Sequence, residues 1–295
     1  MKLSRHLWAC LCALVFASCG PDLSGNGNGS GSEDSGSQDG TADKVFSFTI
    51  PEGVSGTRPS EDHYARVTVE LRSKESDEMS IRFSDTVNLK NLSNVDIPHV
   101  KDGKYDLLAW VDCFSTAKDV KPFYDVADLR GVSFDDDGYA DCDIVSKTAY
   151  YVCEKDVLIE GDKNLDFTLK CPHGGYKVVL ENPGDVMELD KKGYTAVVTY
   201  SAFLPSSFNV YMERTSDSHS GVSYTMDISE IKEDTASLCI AEDVVLCGES
   251  GAVGLVISIM DDSDNVVCQS AQLNIDLQRG AEKEVKVDQS LFSLQ

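Results

Sequence analysis

Cys19 is the first residue whose type and position suggest a defined reaction. It follows a short basic start, an apolar stretch from Leu7 to Ala17, and one small residue. This order is typical of a secretory signal peptide, and the apolar run is too short to span a bilayer. Cleavage before Cys19 leaves its thiol free to carry lipid, so residues 1–18 are predicted to be a lipoprotein signal peptide. An ordinary secretory signal, cut after Ala17 or Ser18, is the alternative.

The cysteines beyond Cys19 could form disulfides. There are seven of them, and an odd number leaves at least one thiol free or intermolecular. No C-x-x-C spacing supports a zinc ribbon or a redox motif. Cys239 and Cys247 are predicted to pair, because a turn at Glu242 and Asp243 would place them opposite each other in a hairpin. The others are Cys113, Cys142, Cys153, Cys171 and Cys268.

An acidic loop spans Asp135 to Asp143 and concentrates the oxygen ligands that Ca²⁺ prefers. Aligned with an EF-hand loop, it carries Ile144 at the twelfth position, where glutamate is needed. The flanking segments are predicted strands rather than helices. We therefore interpret the loop as a solvated acidic hairpin and assign no metal site, with a calcium site as the alternative.

No catalytic constellation emerges from the remaining polar residues. The four histidines after the signal peptide lack metal or catalytic spacing, and neither a G-x-S-x-G elbow nor a P-loop occurs. Loss of Lys2 and Arg5 with the signal peptide takes the net charge from −24 to −26. Such a charge argues against nucleic acid and against a basic membrane contact. The sequence predicts a protein that is not an enzyme and needs no cofactor.

The sequence pattern predicts a linker followed by strands. Residues 20–43 consist mostly of Gly, Ser, Asn and Asp, and residues 19–44 are predicted to be a flexible, lipidated linker. From Val45 onward apolar residues alternate with polar ones, which indicates half-buried strands separated by turns. A break at Pro172 to Gly175 separates two runs of strands. We predict two antiparallel β-sandwich domains, at residues 45–173 and 174–295.

Four segments resemble the fimbrillin-type lipoproteins of Bacteroidales, particularly the two-domain fimbrial anchor and accessory subunits. They contain the family's Pro-Gly-x-Tyr turn with its Trp-x-Asp strand, an Ala-Tyr-Tyr pattern, the junction between domains, and the closing strand. Cys171 and Gly175 depart from the family's usual Arg and Ala. The segments are Ile97 to Asp112, Thr148 to Tyr151, Leu165 to Lys177 and Leu273 to Val285.

The resemblance implies two transthyretin-like sandwiches in tandem and assembly by strand donation. Polymerising members of the family lose an N-terminal strand after an arginine. Here that strand would be Lys44 to Ile50, and the candidate arginines are Arg58, which Pro59 follows, and Arg66. Asp-Thr-apolar motifs at Thr86 and Thr235 are similar to O-glycosylation sites of Bacteroidales envelopes.

We therefore predict a surface-exposed lipoprotein of the outer membrane, an anchor, accessory or adhesive subunit whose partners are other fimbrial subunits or a cell-surface ligand. A surface glycan-binding lipoprotein is the alternative, with Phe123-Tyr124 and Tyr150-Tyr151 as candidate rings. One ring of each pair is expected to point inward. The closing strand Glu284 to Val287 is expected to form a hairpin with Leu273 to Leu277, and its donation to a neighbouring subunit is the alternative. The delipidated chain is expected to be a monomer that pairs with a partner only through a strand that the partner provides.

Overall fold

The computed structural model describes residues 41–52, 59–75, 79–114, 121–135, 138–140, 143–161, 163–228 and 230–294. Residues Asp39–Gln295 form one compact unit. The predicted signal peptide, Cys19 and most of the predicted linker lie outside the described residues. Within the described ranges, no helix is long and apolar enough to cross a membrane.

Strands make up nearly all of the secondary structure, so the predicted all-β class is confirmed. The first half of the chain contains β1 Thr41–Thr49, β2 Tyr64–Ser73, β3 Met79–Asn88, β4 Val95–Lys101, β5 Gly103–Phe114, β6 Tyr124–Asp125, β7 Val132–Phe134, β8 Ala149–Ile159 and β9 Leu165–Thr168. The second half contains β10 His173–Glu181, β11 Thr195–Tyr200, β12 Leu204–Pro205, β13 Ser207–Asn209, β14 Arg214–Thr215, β15 Ser218–His219, β16 Ser223–Asp227, β17 Ser237–Leu246, β18 Ser250–Met260, β19 Val266–Ser270, β20 Leu273–Gln278, β21 Glu282–Val287 and β22 Phe292–Leu294. The described helices are short: α1 Ile144–Lys147 and the 3-10 turns Leu89–Asn91, Pro183–Asp185 and Gln289–Leu291.

Two sheets face each other in the first half of the chain. One has the order β4-β1-β9 and the other the order β3-β2-β5-β8. The first strand lies between an antiparallel and a parallel neighbour, β4 and β9. Alternate residues of both sheets meet in one hydrophobic cluster, in which Phe46, Val69 and Leu107 are fully buried. Period-two alternation produces this core because every second side chain on a strand faces the same side.

The second half repeats the same strand order. Its three-stranded sheet runs β17-β10-β21, and β10 again has one antiparallel and one parallel neighbour. Its larger sheet contains the order β16-β11-β18-β20, which β19 and β22 extend. Each strand of the two first-half sheets, β4-β1-β9 and β3-β2-β5-β8, therefore has a counterpart in the second half.

A second hydrophobic cluster includes residues from both halves. Leu108, Trp110 and Tyr151 from the first half belong to the same cluster as Phe208 and Leu255 from the second. Strand β7 also pairs with β13 across the midpoint of the chain. Both faces of β5 are apolar because each face covers a different core. The domain boundary between residues 173 and 174 stays a prediction.

The closing strand forms a different pairing from the one predicted. Strand β21 pairs in parallel with β10, whereas β20 pairs antiparallel with β18, so the expected hairpin is wrong. Gly280 adopts a φ of 75° and its N–H donates to the His173 carbonyl at 2.7 Å. Glycine reaches this left-handed conformation without strain, and the turn transfers the chain from one sheet to the other.

Candidate functional site

A charged pair is buried where the two halves of the chain meet. The Lys147 Nζ lies 3.2 Å from Asp243 Oδ1 and 3.4 Å from Oδ2. Lys147 is 2% exposed and Asp243 is 1% exposed, and 96 residues separate them in sequence. A buried ion pair recovers its desolvation cost only when good geometry and further hydrogen bonds satisfy it. The stability of this ion pair therefore depends on the hydrogen bonds that its neighbours make with it.

Helix α1 presents the lysine to this site. The Asp143 carboxylate accepts the Ser146 N–H at 2.7 Å and caps the start of the helix. Thr148 ends the helix, and its hydroxyl donates to the Ile144 carbonyl at 2.8 Å. The Tyr124 hydroxyl donates to the Lys147 carbonyl at 2.7 Å. These bonds fix one short turn at the core, where the long lysine side chain can extend inward.

Four tyrosines enclose the pair. The hydroxyls of Tyr139 and Tyr200 donate to Asp243 Oδ2 at 2.7 and 2.8 Å. The Tyr176 hydroxyl lies 2.9 Å from that of Tyr200 and 3.1 Å from that of Tyr224. The Lys147 Nζ also lies 3.6 Å from the centroid of the Tyr139 ring.

The tyrosine hydroxyls stay protonated. Burial, above all, and the negative charge of Asp243 raise the pKa of Tyr139 and Tyr200 well above the ordinary value. Both phenols therefore remain hydrogen-bond donors aimed at one carboxyl oxygen. The other oxygen, Oδ1, accepts the Val244 N–H at 2.8 Å. The site places an amine against a polarised carboxyl group in an environment shielded from solvent.

A buried histidine lies beside this network. His173 is 1% exposed, and its Nε2 lies 2.8 Å from the Tyr124 hydroxyl. Burial lowers the pKa of His173 to about 3, so the ring is neutral. The Cys171 Sγ lies 3.7 Å from His173 Nδ1, and burial raises the pKa of that thiol to about 11. A protonated, buried thiol is a poor nucleophile.

The edge strand β3 is a second candidate site, for binding another chain. It is 10 residues long, pairs with β2 on one side, and has no described strand on the other. Its described side chains are all exposed or half-buried. Ile81, Phe83 and Val87 form an apolar rim against the core of the first half. Such an edge offers unpaired N–H and C=O groups to an incoming strand.

Other edge strands are better protected. Strand β4 contains Pro98, which lacks an N–H, and His99 at a φ of 57°. Strand β21 carries exposed charges at Glu282, Lys283 and Lys286, and such charges discourage edge pairing. Strand β17 is as long as β3, but the side chains of its last four residues, Asp243 to Leu246, are buried. Strand β8, the other edge of the β3 sheet, has 11 residues but contains Asp156 at a φ of 60° beside the exposed Glu154 and Lys155. Strand β3 contains neither proline nor a left-handed residue, although Arg82 and Asp85 are exposed on it.

The predicted disulfide between Cys239 and Cys247 is wrong. Strand β17 runs unbroken from Ser237 to Leu246, and Cys247 directly follows it. Residues eight positions apart on a strand are roughly 26 Å apart, beyond the reach of a disulfide. Glu242 and Asp243 lie within the strand and pair with β10, so they make no turn. The six described cysteines, Cys113, Cys153, Cys171, Cys239, Cys247 and Cys268, are all free thiols.

The aromatic pairs proposed for glycan binding face inward. Tyr150 is 2% exposed and Tyr151 is fully buried, because the two faces of β8 cover different cores. The expectation that one ring of this pair points outward is wrong. Tyr124 is buried, and Phe123 stacks on Phe134 with ring centroids 5.0 Å apart. These four rings do not form an exposed platform for a sugar.

The two predicted glycosylation threonines differ in setting. Thr86 is half-buried on β3, and its N–H donates to the Asp85 carboxylate at 2.7 Å. Thr235 is half-buried in the loop before β17, where its Oγ1 accepts the Lys232 N–H at 3.0 Å. Modification of either stays a prediction.

The acidic loop lies partly outside the described residues, because 136, 137, 141 and 142 are among those left out. The segment after the loop was predicted to be a strand, but it forms helix α1, which Asp143 caps. Tyr139 from its middle is buried against Asp243. The described residues contain no group of three or more His, Cys, Asp or Glu side chains that could hold a metal ion.

Arg66, one candidate processing site, is held inside the fold. It lies on β2, which pairs with β3 and β5 on its two sides. Its guanidinium forms a two-point ion pair with the buried Asp112, at 3.1 and 2.7 Å. A protease needs an accessible, unpaired segment, so cleavage there requires local unfolding of the sheet. Arg58 lies outside the described residues.

Comparison with known proteins identifies a family. The sequence model of a family of unknown function, DUF6562, matches residues 36–288. The chain belongs to this family. No curated protein sequence matches it.

Several solved structures are similar to the chain. The fimbrial anchor protein Mfa2 from Porphyromonas gingivalis is 14% identical, with 84% of this chain and 90% of that chain covered and a TM-score of 0.46. A candidate adhesin from Bacteroides ovatus is 11% identical, with 90% and 98% covered and a TM-score of 0.47. A candidate polysaccharide-binding protein from Bacteroides thetaiotaomicron is 11% identical, with 79% and 80% covered and a TM-score of 0.49.

Sequence reasoning did not find the Lys147–Asp243 pair. Neither residue lies in a motif, and acidic residues are abundant throughout the chain. One local signal was present, since Asp143 is a residue type that favours the start of a helix, and the helical turn that it caps ends at Lys147. The partner could not be found in this way, because it lies on a distant strand.

Proposed function

We propose that this chain is a non-catalytic surface lipoprotein and serves as an anchor or accessory subunit of a fimbria-like assembly. The open edge of β3 carries the proposal, because it offers a strand-pairing surface 10 residues long. The sequence resemblance to fimbrillin-type lipoproteins supports the same role. A lipid at Cys19 would tie the chain to the membrane, which suits a base better than a repeating shaft.

The partner we propose is an extended strand from another subunit. Main-chain hydrogen bonds along β3 would supply affinity, and apolar side chains at alternate positions would cover Ile81, Phe83 and Val87. The Thr86 N–H donates to the Asp85 side chain, and the Ser84 hydroxyl lies 2.9 Å from that of Thr68. Both contacts fit a register in which the N–H groups of Ser84 and Thr86 point away from β2.

Ser84→Pro is the sharpest test of this edge. Proline removes an N–H that we expect to face outward, so pairing with β2 should survive while an added strand is blocked. Cells producing the variant should assemble at least about tenfold fewer surface fibres, the loss expected for removal of about 1.4 kcal/mol of pairing energy. Negative-stain electron microscopy of cells with matched surface levels of the protein measures this.

Two controls accompany the test. Asp85→Pro should instead break a bond to β2 and lower the thermal stability. Lys192→Pro, in the exposed loop before β11, should change neither fibres nor stability. Normal fibre numbers with Ser84→Pro would refute the role of β3. A ladder of multimers of the delipidated protein, lost in Ser84→Pro, would show self-polymerisation and refute the anchor role.

Attachment to the membrane has its own test. Radiolabelled palmitate should enter the wild-type protein and not Cys19→Ala, because cleavage before Cys19 removes Cys10 and Cys12 and leaves the Cys19 thiol as the proposed attachment point of the lipid. Cys113→Ala is a suitable control, since that thiol is fully buried and should leave labelling unchanged. Equal labelling of the wild type and Cys19→Ala would overturn the lipid anchor.

A further inference from the structure

The geometry points to an intramolecular isopeptide bond between the side chains of Lys147 and Asp243. Such a bond would join the first half of the chain to the second half covalently. It goes beyond the proposed function and does not depend on it. The two groups are positioned as reactants rather than as a surface ion pair.

The reacting atoms are close and have few other partners. The Lys147 Nζ has the two Asp243 oxygens at 3.2 and 3.4 Å, and it lies 3.6 and 5.1 Å from the ring centroids of Tyr139 and Tyr224. The nitrogen would attack the carboxyl carbon that joins these two oxygens, and holding both groups in contact gives the reaction a high effective concentration. The aromatic rings keep water away, and hydrolysis of the product is thereby suppressed.

Two phenols stand where negative charge would develop. The Tyr139 and Tyr200 hydroxyls lie 2.7 and 2.8 Å from Asp243 Oδ2 and donate to it. Attack on the carboxyl carbon places charge on this oxygen, and two preorganised donors form an oxyanion hole there. The Val244 N–H fixes the carboxyl plane through Oδ1. The carboxyl group is thus held with two phenol donors on Oδ2 and with both oxygens within 3.4 Å of the Lys147 Nζ.

The reaction balances without any co-reactant. A proton passes from Lys147 Nζ to Asp243 Oδ1, which leaves an amine and a carboxylic acid. The nitrogen lone pair then attacks Cγ and forms the N–C bond. The bond from Cγ to Oδ1 breaks, and Oδ1 leaves as water with that proton and a second proton from Nζ. Two buried charges are replaced by a neutral amide, which removes their desolvation cost.

Mass spectrometry of the full chain tests the bond. After denaturation and reduction, the wild-type protein should be about 18 Da lighter than its sequence and processing require, the mass of one water. A tryptic digest should contain a branched peptide joining the segments around Lys147 and Asp243. Lys147→Met should have its full sequence mass. Lys170→Met should keep the deficit, because that lysine is 46% exposed and pairs with Glu213.

The phenols supply a kinetic readout. In freshly synthesised protein, Tyr139→Phe should form the branched peptide about a hundredfold more slowly, since loss of one oxyanion donor has effects of that order. The ring beneath the ammonium is kept, so packing is matched. A wild-type chain of full mass, with Lys147 labelled by an amine reagent after denaturation, would show a purely ionic pair and overturn the proposal. This result requires no variant to fold.

Discussion

Lys147→Met is expected to lower the free energy of unfolding by at least about 3–5 kcal/mol. The substitution preserves the length of the side chain but leaves the buried carboxylate of Asp243 without its cation. It also removes the amine of the proposed isopeptide bond, so the variant carries a free carboxylate whether or not the wild type is crosslinked. An uncompensated charge in the core costs more than the lost attraction, because it cannot be rehydrated without opening the fold. Urea unfolding followed by far-UV circular dichroism measures the effect.

Two comparisons separate charge from packing. Lys170→Met removes an ion pair with Glu213 at the surface and should cost no more than about 1 kcal/mol. Adding Asp243→Asn to Lys147→Met should recover part of the loss, because the amide oxygen can still accept from the tyrosines without carrying charge. If Lys147→Met lowers the free energy of unfolding by less than about 1 kcal/mol, the Asp243 carboxylate does not depend on the lysine for its stabilisation, which would contradict the prediction.

Trp110→Ala should cost about 3–5 kcal/mol of stability, as expected for a large aromatic residue removed from a core. Trp110 is fully buried in the cluster that includes residues of both halves. Its ring centroid lies 5.2 Å from that of Tyr124 and 6.1 Å from that of Phe208. Because the cavity would open in a shared core, both halves should lose stability together. Differential scanning calorimetry should show one transition, moved to lower temperature.

Trp110→Phe is the matched control. The indole Nε1 is buried without a hydrogen-bond partner among the described residues. Phenylalanine keeps an aromatic ring and removes this unsatisfied donor. The loss of unfolding free energy with Trp110→Phe should therefore be at least about 1 kcal/mol smaller than that with Trp110→Ala. Two separate transitions, only one of them shifted by Trp110→Ala, would contradict a shared core.

Most strands could be predicted from local sequence. Val67, Val69 and Leu71 alternate with polar residues and lie on β2, and Val253 to Ile259 lie on β18. The closing strand shows the limit of this reasoning. Its alternation correctly predicted a strand that stays within the fold, but the neighbour predicted for it was the preceding strand in sequence. Proximity in sequence favours a hairpin, whereas the Gly280 turn sends β21 to β10.

The candidate sites were less visible in the sequence. Tyr150 and Tyr151 illustrate why, since alternation assigns adjacent residues to opposite faces but does not tell whether both faces are covered. The prediction of a disulfide between Cys239 and Cys247 failed for a related reason. Two acidic residues suggested a turn between Cys239 and Cys247, but Asp243 is held inside a strand by Lys147 and two tyrosines. A buried partner overrode the local preference of an acidic residue for a turn.

The sequence by itself determined the all-β class and the position of most strands, because alternation is a property of neighbouring residues. The tertiary structure alone decided which strands pair, that one core is shared by both halves, and that Lys147 meets Asp243 96 residues away. Those outcomes depend on contacts between distant segments, whose free energy comes from burying both partners at once. No single segment of the chain carries that information.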